Sequence, residues 1–245
     1  MQELQFEPHT LDVIFLDAAG TLFEVRDSVG KIYSEVAGRF GVPAPAAELD
    51  RAFVDAFQRL SLEGLPRDGV GDAPVQEKRW WRELVKRVIG GRMSPATFQA
   101  YFEEVFECFR LAEAWRLFPD TWGSLERLRA CGYRLGVISN FDSRLRDLLV
   151  NLGISSYFEQ VVLSWDVGAA KPDRKIFCRA LELMNVPAGR ALHVGDSLYE
   201  DITGAAEAGL CAVLLDRRDL HAEWKGGRRI RSLGELCDSL AGSSA

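Results

Sequence analysis

Two hydrophobic rhythms divide the chain. Short apolar runs occur at Asp12–Leu16, Tyr133–Ser139, Gln160–Leu163, Arg190–Val194 and Cys211–Leu215. Their length suits strands buried on both faces. Between the later runs, apolar residues recur at helical spacing. Asp120–Gly132 carries Trp122, Leu125 and Leu128, and Ser143–Leu152, Pro172–Met184, Leu198–Ala208 and Leu233–Leu240 follow. Strands alternating with helices predict a parallel sheet with right-handed crossovers.

The first run stands apart from its fellows. After Thr21 the period becomes helical, with Val29, Ile32, Tyr33, Val36 and Phe40, stopped by Gly41-Val42-Pro43. Glu48–Leu60, Val75–Ile89 and Ser94–Phe109 repeat that period, the last opened by Ser94-Pro95 as N-cap and first-turn residue. A turn-rich segment, Gly64–Pro74, interrupts them. The expected organisation is an α/β, Rossmann-like core of residues 1–24 and 112–245 with an all-helical insertion of residues 25–111. In the cluster Arg79-Trp80-Trp81-Arg82, adjacent side chains point to different helix faces. Packing of one indole in a helical core, with solvated arginines, is preferred there over a binding site.

Composition narrows the functional classes. Of 245 residues, 47% are hydrophobic and 27% charged, as in globular proteins with a substantial core. The net charge of -6 disfavours nucleic-acid or membrane-surface partners, and no apolar run is long enough to span a bilayer. Met1–Thr10 lacks the basic flank and apolar centre of a secretory signal. Five scattered cysteines, without a Cys-x-x-Cys pair, read as buried free thiols in a reducing cytoplasm. Oligomeric state is not encoded in any of these patterns.

Chemistry concentrates where apolar runs end. Asp17-Ala18-Ala19-Gly20-Thr21 follows the first run and Ser139-Asn140 the second. Lys171-Pro172-Asp173 precedes a helix, and Gly195-Asp196-Ser197, with Asp201 beyond it, follows the fourth run. Singly, each has a plain alternative: Asp17 and Asp196 as turn formers, Ser139 as a helix cap, Lys171 as a solvated lysine. In an open α/β sheet, however, the carboxyl ends of the strands are where ligands bind, and these polar groups recur there in order.

In that order and on that frame, the chain resembles the haloacid dehalogenase-like hydrolases over nearly its whole length, helical cap included. Gly195-Asp196-Ser197-Leu198-Tyr199-Glu200-Asp201-Ile202-Thr203-Gly204-Ala205 is similar to the phosphatase form of the family's fourth motif, and Gly168–Phe177 to its third. The resemblance implies Asp17 as nucleophile toward phosphorus, with Lys171 neutralising the phosphate and Asp17 together. It implies a Mg²⁺ held by Asp17, Asp196, Asp201 and the backbone carbonyl of Ala19, with Asp201 a ligand or the holder of a metal-bound water. Thr21, Ser139, Asn140 and Lys171 would bind the phosphate of a small phosphorylated substrate. Gly204, Ala205, Ala206 and Ala208 would let the last motif's helix approach the sheet.

One position departs from the pattern. Phosphatases of the family carry a second Asp two residues after the nucleophile, which protonates the leaving alkoxide and then activates water. Here that position is Ala19, and Glu24 is the nearest acidic substitute. Three readings result: a Mg²⁺-dependent phosphatase limited by its leaving group, a metal-free haloacid dehalogenase, or a phosphometabolite-binding protein with weakened turnover. The carboxylates Asp196 and Asp201 favour the first, because a metal-free site gains nothing from uncompensated negative charge. Specificity is expected on the cap, at residues such as Arg67, Trp80 and Arg82.

Overall fold

A computed structural model describes residues 10–63 and 73–241. The N-terminal stretch, most of the turn-rich segment with Arg67, and the serine-rich tail lie outside the described residues. The chain divides into two compact units. Unit 1 comprises Met1–Glu24, Leu117–Asp142 and Leu152–Ala245; unit 2 comprises Val25–Arg116 and Ser143–Asn151.

Unit 1 is built on a six-stranded sheet. Its strands are β1 (Val13–Leu16), β4 (Arg134–Ser139), β5 (Gln160–Leu163), β6 (Ala191–Gly195), β7 (Cys211–Leu215) and β8 (Arg228–Ile230). They are parallel throughout, in the order β5-β4-β1-β6-β7-β8. The chain thus runs outward from β1 on one side and returns to start again on the other, which puts the switch point between β1 and β6. All four residues of β1 are buried, as a central strand covered on both faces requires. Val13, Phe15, Ile138 and Val162 pack one sheet face against Ile176, Phe177, Ala180 and Met184 of a helix, α8 (Arg174–Met184). Arg228-Arg229-Ile230 has no apolar run, so β8 is absent from the sequence pattern; an edge strand needs little apolar surface.

Two helices differ from expectation. α8 begins at Arg174 rather than Pro172, because Asp173 is its N-cap and accepts the Lys175 N–H. The expected helix Leu198–Ala208 is a π-helical segment, Leu198–Thr203, followed by one α-helical turn, Gly204–Glu207. The Ser197 carbonyl accepts from both Asp201 and Ile202, which widens that turn. The five cysteines are all free, but only Cys237 is buried, and Cys131 is exposed.

Unit 2 contains α1 (Val29–Arg39), α2 (Ala46–Glu63), α3 (Ala73–Ile89), α4 (Pro95–Cys108) and α6 (Arg144–Asn151). Ser28 and Ser94 cap α1 and α4 by accepting the Lys31 and Thr97 N–H groups. The core is aromatic, with Tyr33, Phe98, Tyr101 and Phe102 buried beside Leu49, Leu84 and Val105. Short strands Phe23–Val25 and Trp115–Leu117 pair where the chain leaves and rejoins unit 1. Too short to show a period of two, they fall outside what the sequence pattern predicts.

Among the described residues no helix is long and apolar enough to cross a membrane.

Candidate active site

The register of the sheet assembles the site. Leu16 lies level with Val137 of β4 and Val194 of β6. Asp17 therefore emerges beside Ser139 on one side and Gly195-Asp196 on the other, at the switch point. The Asp17 N–H donates to the Val194 carbonyl at 2.9 Å, which continues the ladder as far as Asp17. The chain then turns sharply: Gly20 has φ +92°, and the Leu22 N–H donates to the Ala18 carbonyl at 2.8 Å. A Cβ at Gly20 would stand 2.3 Å from Asp196 Oδ2, so glycine is needed both for the turn and for the close approach of Asp196.

One ammonium group sits among the carboxylates. Lys171 Nζ donates to Asp17 Oδ1 at 2.6 Å and to Asp201 Oδ1 at 2.5 Å, and all three residues are buried. Asp201 reaches this position because the π-helical turn folds its carboxylate back over β6, where the Ser197 N–H donates to its Oδ2 at 3.0 Å. Gly195 makes room for it: a Cβ there would lie 2.1 Å from Asp201 Cγ. Asp196 stands exposed at the edge of the cluster. One oxygen from each of Asp17, Asp196 and Asp201 lies within 4.8 Å of the others.

The charges do not balance locally, and the titration behaviour follows. Burial lifts the Asp17 carboxyl to about 7; Lys171 pulls it down, while Asp201 and Asp196 push it up. Desolvation by its neighbours and repulsion from Asp201 lift Asp196 to about 6. Burial opposes the charge on Asp201 too, yet Lys171 and a hydrogen bond from His193 hold it well below the usual carboxylate range. Burial alone would lower Lys171, but Asp17 and Asp201 hold it above its ordinary value. Three carboxylates against one ammonium, all offering oxygen, suit a small hard divalent cation such as Mg²⁺.

Several supporting contacts go beyond what the sequence pattern predicts. The Asn140 side chain clamps the Lys171 backbone: its Oδ1 accepts the Lys171 N–H at 2.7 Å and its Nδ2 donates to the Lys171 carbonyl at 3.1 Å. The same Nδ2 reaches Glu200 Oε2 at 3.2 Å. His193, wholly buried in β6, has Nε2 2.8 Å from Asp201 Oδ1, and its Nδ1 has no partner. Burial depresses its pKa against the pull of Asp201, so the neutral tautomer donates from Nε2. A lone His within an otherwise apolar strand was the available signal.

The remaining expected site residues are placed as follows. Ser139 is buried, its hydroxyl accepting the Phe141 N–H at 3.2 Å. Thr21 is also buried; its carbonyl accepts from Arg217 at 2.8 Å, and its hydroxyl has no hydrogen-bond partner among the described residues. Ala19 is exposed. Glu24 is ion-paired with Arg218 at 3.2 Å.

In unit 2, the Arg-Trp-Trp-Arg cluster belongs to packing. Both indoles pack against the aromatic core, 5.1 Å apart between ring centroids, so two tryptophans rather than one are used there. Arg82 donates to Gln99 at 3.0 Å and lies 5.3 Å over the Phe98 ring.

Comparison with known proteins identifies relatives along most of the chain. The family described as haloacid dehalogenase-like hydrolase matches residues 11–209. The chain is similar to haloacid dehalogenase-like hydrolase domain-containing protein 3 of Danio rerio, with 33% identity over 91% of this chain and 93% of that one. Over 44% of the chain, and 48% of the relative, it is 42% identical to glyceraldehyde 3-phosphate phosphatase of Methanothermobacter thermautotrophicus. Among solved structures, the HAD phosphatase from Thermococcus onnurineus superposes with a TM-score of 0.66 at 26% identity, covering 95% of this chain and 99% of that one.

Proposed function

The chain belongs to the haloacid dehalogenase-like hydrolases, and from that premise we propose that it is a Mg²⁺-dependent phosphatase of a small phosphorylated metabolite, working through Asp17. One observation carries the reading: Asp17, Asp196 and Asp201 converge around a single ammonium, Lys171. Two extra carboxylates hinder ionisation of a nucleophile unless a cation joins them. The 42% identity to a phosphatase over part of the chain supports the same choice over carbon–halogen chemistry.

In this reading Asp17, Asp196 and the Ala19 carbonyl would hold Mg²⁺, with Asp201 as a further ligand or the holder of a metal-bound water. The ion supplies charge neutralisation between the Asp17 carboxylate and the phosphate dianion. Lys171, held in place by Asn140, bears on the phosphate oxygens and on Asp17. The Ser139 hydroxyl, the Asn140 N–H and Thr21 bind the phosphate from the β4 and β1 ends. Asp17 attacks phosphorus and the ester oxygen departs; water then attacks the aspartyl-phosphate, releasing phosphate and restoring Asp17. Ala19 can neither protonate the departing ester oxygen nor take a proton from the attacking water, so in this reading the alkoxide gains its proton from solvent and the attacking water loses its proton to solvent. Residues 25–111 are the helical insertion in this reading, and the five unpaired thiols fit a cytoplasmic setting.

Sustained hydrolysis of p-nitrophenyl phosphate tests the proposal. Turnover should need Mg²⁺, stop in EDTA, return on addition of Mg²⁺, and vanish in Asp17→Asn. Halide release from 2-haloacids in EDTA would instead support the dehalogenase reading.

A further inference from the structure

His193 is the odd residue of β6. The strand is buried throughout, and Ala191, Leu192 and Val194 are apolar. In the sheet His193 stands level with Phe15 of β1 and Ala212 of β7, and its ring meets the Phe177 ring edge-on at 5.2 Å. Its Nδ1 has no hydrogen-bond partner among the described residues. An imidazole with one nitrogen stranded in an apolar layer costs stability that a leucine there would not. The polar contact that the ring does make is at its other nitrogen, Nε2, 2.8 Å from Asp201 Oδ1.

Three donors hold the Asp201 carboxylate. Lys171 Nζ at 2.5 Å and His193 Nε2 at 2.8 Å meet Oδ1, and the Ser197 N–H at 3.0 Å meets Oδ2. They differ in stiffness. The Lys171 ammonium is bound to Asp17 Oδ1 as well, at 2.6 Å, and sits on a flexible stem with rotatable donors. Its place therefore depends on Asp17 too. The Ser197 N–H belongs to the residue that caps the π-helical segment Leu198–Thr203. His193 is the stiffest of the three, because β6 pairs with β1 on one side and β7 on the other, and Phe177 packs against the ring. A carboxylate offers about four acceptor sites. Two are filled on Oδ1 and one on Oδ2, so the site left open is on Oδ2.

We propose that His193 is a positioning residue for the metal site: its Nε2–H occupies Asp201 Oδ1 and so fixes the carboxylate with the open acceptor site of Oδ2 kept for Mg²⁺ or a metal-bound water. This role rests on the Mg²⁺ reading above, and His193 acts through Asp201 alone. Hydrogen-bond partners behind a metal ligand are commonly worth about ten- to a hundredfold in metal affinity. The same bond steadies Lys171, because the ammonium and the imidazole share Oδ1. Stability is given up in the apolar layer for order at the carboxylate, a trade that belongs to function rather than to packing.

Calorimetric titration of the full chain with Mg²⁺, without substrate, tests the role. His193→Leu should raise the Mg²⁺ Kd about tenfold or more. Its melting temperature without metal should stay within about 4 °C of the parent's. Two polar variants then separate positioning from packing. The amide nitrogen of a glutamine stands as many bonds from the backbone as Nε2, whereas that of an asparagine matches Nδ1 and falls short of Asp201. His193→Gln should keep the Kd within about threefold of the parent's, because the donor is retained. His193→Asn should weaken binding as His193→Leu does, and this pair decides alone if His193→Leu does not fold. A His193→Gln protein that binds Mg²⁺ no better than His193→Asn would overturn the role. So would a parent-like Kd in His193→Leu, or a parent without measurable Mg²⁺ affinity. A parent that hydrolyses no phosphate ester, yet gives this order of Kd values, would retain the role and remove the phosphatase.

Discussion

Two buried clusters, one in each unit, treat charge in opposite ways. In the helical unit, buried ionic groups are satisfied by their surroundings. Arg144 lies 3.9 Å over the Phe106 ring and 5.1 Å over Trp81, and donates to the Phe106 carbonyl at 2.9 Å. Buried Glu77 accepts from the backbone and hydroxyl of Ser143. Other charged pairs of that unit, such as Lys31 with Asp27 and Arg59 with Asp55, are exposed and one helical turn apart. Pairs of that kind add little to stability. In the α/β unit, buried Asp17 and Asp201 share one lysine and crowd a third carboxylate, and the local sum is negative. Buried charge that its neighbours satisfy marks packing. Buried charge left in excess marks a site awaiting a counter-charge.

The contrast is sharpest at Lys171. Lys171→Ala leaves Asp17 and Asp201 buried without their shared cation, and breaking such a pair is strongly destabilising. Activity toward p-nitrophenyl phosphate should fall by on the order of 10²–10³ in kcat/KM, by loss of charge stabilisation in the transition state. Steady-state kinetics, normalised to the folded fraction by circular dichroism, measures it. Lys171→Arg should fail to rescue, because the planar fork does not fit a space shaped for a point charge.

Ala19 offers the next largest effect, in the other direction. A positioned general acid–base contributes about 10²–10⁴ in rate. The exposed position of Ala19 has room for a larger side chain. Ala19→Asp should raise turnover of alkyl phosphates by at least about tenfold and exceed Ala19→Asn, with p-nitrophenyl phosphate gaining less. A parent that already hydrolyses alkyl and aryl esters equally, without a burst, would mean that another residue supplies the acid.

The pH dependence of metal binding is a smaller test. Asp17 and Asp196 are lifted to about 7 and about 6 without metal, and a metal binds the deprotonated forms. Protons therefore compete below those values. Apparent Mg²⁺ affinity, followed by calorimetry, should weaken by about tenfold or more between pH 7.5 and pH 5.5. An affinity flat across that range would show that the carboxylates are not raised. At the bottom of the scale, Arg82→Ala in the helical unit removes only a bond to Gln99 and a contact with Phe98. It should change kcat/KM less than about twofold for any ester, and a larger, substrate-dependent change would return specificity to that unit.

What could be read from the sequence follows from range. Asp17 and Asp196 are legible because each follows the end of an apolar run, Lys171 because it stands before the proline that opens a helix, and the helices of unit 2 because their period and the Ser94 cap are local. The Asn140 clamp on Lys171 and the His193 bond to Asp201 depend on strand register, which no local pattern contains. The π-helical turn at Leu198–Thr203 reads as an ordinary helix, since its distinguishing feature is a carbonyl shared between two N–H groups. Arg144 is illegible for the opposite reason: an arginine early in a helix is usually solvated, and here the rings of Trp81 and Phe106 and the Phe106 carbonyl help to make its burial tolerable.

The covalent step on Asp17 is the centre of the account, and it can be observed directly. The protein with Mg²⁺ and p-nitrophenyl phosphate is quenched in acid during steady state, digested, and analysed by mass spectrometry. The peptide containing Asp17 should carry the mass of one phosphoryl group, lost on treatment with hydroxylamine and absent from Asp17→Asn. A turning-over enzyme whose Asp17 peptide stays unmodified, or an Asp17→Asn protein with the parent's rate, would contradict the mechanism.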